Sequence, residues 1–179
     1  MLLILSLGLL PLGLIAVLAS VQSSRENSER RVERTLTRLD LKAQLINGLL
    51  ARSASTIRAA SAAVSLTPPE SEACVTTLQR LARAQTTPGK FALFASDGNL
   101  HCATPGFAPP PIPEARGRRS IIQITPDGEL LRFALFDDDG AIEGMGEFAR
   151  PALAELTFLP GTDPNFDLEL LQGDRRMVL

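Results

Sequence analysis

MLLILSLGLLPLGLIAVLASVQSS opens the chain, and it carries no charged side chain. A helix that crosses a bilayer needs about 20 predominantly apolar residues, so residues 1–24 read as a membrane helix. Pro11 is tolerated in such a helix, and Gly8 and Gly13 are ordinary there. The rival is a cleaved signal peptide with Val17-Leu18-Ala19 as its small-residue site. The length of the run favours the uncleaved anchor. No Lys or Arg precedes the run, whereas Arg25, Arg30, Arg31 and Arg34 follow it. Taken alone, the positive-inside rule places the C-terminal side in the cytoplasm. Glu26, Glu29 and Glu33 count little under that rule, and a start codon further upstream would supply a basic N-terminal tail.

Residues 25–66 form the second segment, a long amphipathic helix. Val32, Leu36, Leu39, Ala43, Ile46, Leu50, Ser53, Ile57, Ala60 and Val64 step by four and three without a break. That spacing is a heptad seam, and it suits either a coiled coil or a helix docked on its own domain. The two readings can hold on different halves. Leu36, Leu39, Ala43, Ile46 and Leu50 are the expected seam of a homodimer.

Thr67-Pro68-Pro69 ends this helix, because a proline cannot continue it. Thr67 or Ser71 caps a second helix from about Glu70 to Ala84, with Cys74, Leu78 and Leu81 on one face. From Lys90 the apolar period changes to two. KFALFAS and NLHCAT flank Asp97-Gly98, the strongest short hairpin signal. A Pro-rich basic loop follows, then strands SIIQIT, ELLRFALF and AIEGMGEFA, with turns at Pro126-Asp127-Gly128 and Asp138-Asp139-Gly140. A short helix at Pro151 precedes FDLELLQ and RRMVL. Helices followed by antiparallel hairpins place residues 67–179 in the α+β class. A last strand running to Leu179 reads as part of a longer protein.

Composition removes several functions. The chain has eight Phe but no Trp and no Tyr, which argues against stacking platforms for single-stranded nucleic acid. Residues 120–179 hold four Lys or Arg against twelve acids, so no basic face for nucleic acid is expected. No nucleotide fingerprint, GxSxG or HExxH occurs, and no catalytic residue or cofactor is expected.

The single histidine stands beside a cysteine in NLHCATP. A two-residue Asp-Gly turn would set Ser96 opposite Asn99, Leu93 opposite Cys102 and Phe94 opposite His101. Cys102 then shares the core face with Phe91, Leu93, Ala95 and Leu100, while His101 lies on the other face as a surface residue and candidate reporter of acid pH. Neighbours on a strand cannot converge on one reacting atom, so a Cys-His nucleophile is not expected. Two cysteines and one histidine without CxxC spacing make no zinc site. Cys74 and Cys102 both face inward, and behind a membrane or export segment they read as a disulfide. That places residues 25–179 outside the cytoplasm. Two separate thiols in a cytoplasmic domain are the alternative.

FDDDGAIEGMGE invites a calcium reading. Counting Gly140 as position six puts Leu135 at one and Gly146 at twelve, so the template fails and an acidic turn remains. Arg116, Arg118 and Arg119 in the long loop are candidate contacts for a carboxylate or phosphate, against the plain reading of a solvated or lipid-facing loop. Arg132 is a weaker candidate, on the face opposite Leu131 and Phe133.

Two stretches, LLILSLGLLPLGLIAV and EACVTTLQRLARAQ…FALFASDGNLHCATP, resemble the N-terminal sensory half of alphaproteobacterial sensor histidine kinases with a periplasmic PAS-like, Cache-type domain. The resemblance extends to about Thr104, and beyond it only as a strand pattern. It implies an inner-membrane anchor, a periplasmic PAS-like sheet flanked by helices, and a long helix that passes motion from an unknown small ligand or partner protein to a kinase. The ligand-facing aromatics of that group have no counterpart in the Pro- and Arg-rich loop, so no ligand contact is carried over. Two other classes share the element order: a membrane-tethered extracytoplasmic binding protein, and a pilin-like subunit. The second lacks its basic leader, cleavage Gly and early Glu here.

Overall fold

Alternating apolar residues in the second half of the chain build a five-stranded antiparallel sheet, and the long helix predicted from the heptads runs into it. The computed structural model describes residues 2–64, 67–115, 117–160 and 168–179, and of residues 2–29 the backbone alone. Helix α1 is continuous over Leu2–Val64. It is followed by α2 (Glu72–Ala84), β1 (Lys90–Phe94), β2 (Leu100–Ala103), β3 (Ser120–Ile124), β4 (Leu130–Phe136) and β5 (Ile142–Ala149). Helix α3 (Arg150–Leu156) and the ribbon β6 (Glu169–Gln172) and β7 (Arg175–Val178) complete the chain. The molecule is α+β, with sheet order β2-β1-β5-β4-β3.

Two compact units divide the chain, Met1–Ala43 and Gln44–Leu179. The first is helical. Its predicted membrane segment, residues 1–24, has side chains outside the described residues. Among the described residues, no helix is long and apolar enough to cross a membrane. Val32 and Leu36 are 56% and 60% exposed, so this part of the seam is uncovered in the single chain.

In the second unit the remainder of the seam is docked. Ile46, Ser53, Ile57, Ala60 and Val64 are buried. Gly144 lets α1 approach β5, since a Cβ there would strike Ile57 Cγ2 and the Ala92 carbonyl. Phe91, Phe133 and Phe148 lie on the same side of the sheet. Phe148 meets Phe91 edge-on at 6.0 Å and stacks over Phe133 at 6.0 Å between centroids. Gly146 leaves the space that the Phe133 and Phe91 rings fill.

The sheet is buried on both faces, where the sequence predicts one core face. Ala92, Phe94, Ala134, Phe136, Ile142 and Met145 form a second cluster, against which Phe107 and Ala115 pack from the Pro-rich loop. This loop is therefore a cover for the sheet. Thr104 fastens its start by accepting from Phe91 N (2.9 Å), and Lys90 Nζ donates to the Gly106 carbonyl at 2.8 Å. At the far edge, β3 is protected from open-edge pairing. Gln172 Oε1 accepts from Ile124 N at 2.8 Å, and Arg175 Nη1 donates to the Ile124 carbonyl at 2.9 Å.

Asp and Gly close the hairpins. In the β3–β4 turn the Asp127 carboxylate accepts from the Thr125 hydroxyl and from Glu129 N. These bonds, the hydroxyl first, hold its carboxyl below the ordinary carboxylate value. A lowered folded-state pKa makes a stabilising contribution that is complete above about pH 4 and disappears as pH falls through the folded value. The urea midpoint of the wild type should therefore exceed that of Asp127→Asn at neutral pH and converge on it on acidification. A constant gap across that window would show that this carboxylate does not contribute.

Candidate functional site

Two irregularities at the turn end of the sheet border a concavity. Ala95 N donates to the Asn99 carbonyl (2.8 Å), so Ser96, Asp97 and Gly98 form a three-residue loop, with Gly98 at φ +81°. The predicted two-residue turn is thus corrected: Phe94 pairs with Leu100, not with His101. Leu93 still pairs with Cys102, as the sequence predicts, because His101 is an extra residue bulged out of the ladder. A second bulge lies in β5, where Leu135 pairs with Gly144 and Phe136 with Ile142, leaving Glu143 unpaired.

Both bulged residues line one cavity of about 310 Å³, together with Ser61 and Val64 of α1, Phe94, Ser96, Asp137 and Ile142. His101 is 8% exposed, which corrects the expectation of a surface residue. Bulges re-aim side chains, and these two turn His101 and Glu143 towards the last turn of α1. His101 Nε2 lies 3.5 Å from Thr67 Oγ1, and the His101 carbonyl accepts from Glu70 N at 2.7 Å. Glu70 itself has φ +56°, a conformation uncommon for a residue with a Cβ, and its N–H ties the segment just before α2 to the bulge. Glu143 Oε2 is fully buried and accepts no hydrogen bond, although Arg58 Nε stands 3.5 Å away. Asp137 is fixed at the rim, its Oδ1 accepting from Asp139 N and Ala141 N at 3.0 and 2.8 Å.

The predicted cysteines meet. Ser71 caps α2 by accepting from Cys74 N, the helix covers the first hairpin, and Cys74 and Cys102 form a disulfide that staples α2 to β2. Among the described residues, the candidate arginines do not converge on an anion site. Arg119 pairs with Asp138 at 2.7 Å, both groups well exposed, and Arg132 pairs with the buried Glu147 at 3.2 Å. Lys90 flanks Glu147 from β1, since Lys90 and Arg132 are its direct cross-strand neighbours. Arg118 is exposed in the cover loop, and Arg116 lies outside the described residues. Along the expected dimer seam, Leu36 and Ala43 are exposed, Leu39 and Leu50 are half-buried, and Ile46 is buried at 6%. Ile46 is therefore withdrawn from the seam, because its side chain is already covered.

Sequence reasoning missed Ser61, Asp137 and Glu143 as companions of His101. No sequence period marks a bulge, so nothing in AIEGMGE singles out Glu143. No protein-family model, curated protein or solved structure matches this chain.

Proposed function

We propose that the chain is the extracytoplasmic sensory input module of a membrane-bound two-component signalling protein, a PAS-like domain anchored by residues 1–24 and dimeric through the exposed stretch of α1. The observation that carries this reading is the role of α1 at the cavity. Ser61 and Val64 in its last turn form one wall, and the same continuous helix presents Val32 and Leu36 exposed at heptad spacing. An occupant of the cavity touches the helix directly, and displacement of that helix is the output this reading assigns to it. A five-stranded antiparallel sheet behind a long helix supports the PAS-like assignment, and the disulfide supports an oxidising compartment.

Topology and dimer geometry test the reading together in membranes of a bacterial host. Alkaline phosphatase fused after Leu179 should be active, since it folds only when exported. Under mild oxidation Leu36→Cys should crosslink into a dimer, and Arg34→Cys, two residues earlier and off the seam, should not. An inactive fusion overturns the extracytoplasmic placement. Absence of a Leu36→Cys crosslink favours a monomeric membrane-tethered binding domain instead.

A further inference from the structure

The cavity beside His101 has a chemical bias that its lining makes explicit. Asp137 and Glu143 contribute two carboxylates, and among the described residues no Lys or Arg lines it. Arg58 reaches Glu143 from outside the lining at 3.5 Å without a hydrogen bond. Glu143 lines the cavity with its side chain 27% exposed, so a ligand N–H can add a charge-assisted hydrogen bond to the accessible part of its carboxylate. Val64, Leu93, Phe94, Ala95 and Ile142 supply an apolar floor, and Ser61 and Ser96 supply hydroxyls. The volume of about 310 Å³ lies at the small end of ligand sites, which span roughly 300–1,000 Å³. A metal ion is a poorer occupant: among the described residues no group of three or more His, Cys, Asp or Glu is arranged to hold one. An anion would meet the carboxylates of Asp137 and Glu143, of which Arg58 offsets only the second.

The bulges strengthen the case that this is a built site. A regular ladder would return His101 and Glu143 to the alternation of their strands. Instead β2 and β5, the two neighbours of β1, each insert one residue near the Leu93–Phe94 step, and both inserted side chains reach the same cavity. His101 is buried there, with its Nε2 3.5 Å from the Thr67 hydroxyl.

We infer that this cavity binds a small organic cation, an alkylammonium whose charged end donates to Glu143 and whose apolar body lies on Val64, Phe94 and Ile142. The carboxylate of Glu143 takes the ammonium protons, Asp137 adds negative potential at the rim, and His101 offers a ring nitrogen to a second polar group on the ligand. The signalling consequence rests on the sensory reading given above, whereas the binding does not.

His101 is the only histidine in the chain, so its ring gives one resonance in a selectively labelled sample. Butylammonium and butyrate, nearly isosteric and of opposite charge, are the probes, titrated to millimolar concentration into the full chain in detergent micelles. Butylammonium should move the His101 resonance saturably, and butyrate should not. Glu143→Gln, with the disulfide and helix content unchanged, should weaken butylammonium binding on the order of tenfold or more. Ser61→Leu fills the cavity from the helix side and should abolish the shift, which keeps the inference testable if Glu143→Gln does not fold. No saturable shift, an equal shift with butyrate, or undiminished binding by both variants overturns it. The rate of Leu36→Cys crosslinking with and without butylammonium separates the two ideas. Saturable binding with no change in that rate counts against the sensory reading and upholds the site. A dimer with no binding does the reverse.

Discussion

Replacing Cys74 and Cys102 together by alanine should lower the free energy of unfolding by about 3–4 kcal/mol, read from urea denaturation followed by circular dichroism. The bond joins residues separated by 28 positions and closes a loop containing α2, β1 and the first hairpin turn. In the unfolded chain that closure removes conformations, and its loss restores them. Both cysteines are essentially inaccessible in the fold, so truncation adds a small packing loss in the same direction. A reductant added to the wild type should reproduce the alanine pair. A change below about 1 kcal/mol would mean that the unfolded chain is already restricted over this segment. The loss should also reach the cavity, because Cys102 adjoins the bulged His101 and α2 has no other covalent tie to β2.

Phe148→Ala should be the most damaging single substitution, at about 3–5 kcal/mol. Its side chain is 0% exposed and contacts the rings of Phe91 and Phe133 on one face of the sheet. Gly89 and Gly146 leave the space that these rings occupy, so the backbone has little freedom to close a void. Part of the cost is lost transfer free energy and part is the residual cavity. Leu36→Ala is the informative control. Leu36 is 60% exposed and lies in the helical unit, so the sheet domain should unfold at an unchanged midpoint while dimer crosslinking weakens. Equal effects of the two substitutions would contradict the division of α1 into docked and uncovered parts.

Local patterns account for much of what the sequence discloses. Heptad spacing marks α1, Pro68 and Pro69 mark its end, and Ser71 stands at the N-cap of α2. Period-two runs between Asp-Gly turns mark the five strands. The inward stripe of α2 and the hairpin register put Cys74 and Cys102 on facing surfaces, because both depend only on residues close in sequence.

Other properties depend on contacts between distant segments. A heptad seam has the same spacing whether it docks on its own sheet or on a second helix, so only the tertiary structure separates buried Ile57 from exposed Leu36. The Pro-rich loop covers an apolar sheet face through Phe107 and Ala115, which no pattern within the loop announces. Arg119 and Arg132 read in sequence as candidate ligand or anion contacts, and the fold brings Asp138 and Glu147 to them. His101 shows the limit most clearly. Its strand was legible, but a loop one residue longer and a compensating bulge decide where its ring points. Register is a sum over the whole hairpin, and one residue added at its turn reverses which face a side chain sees.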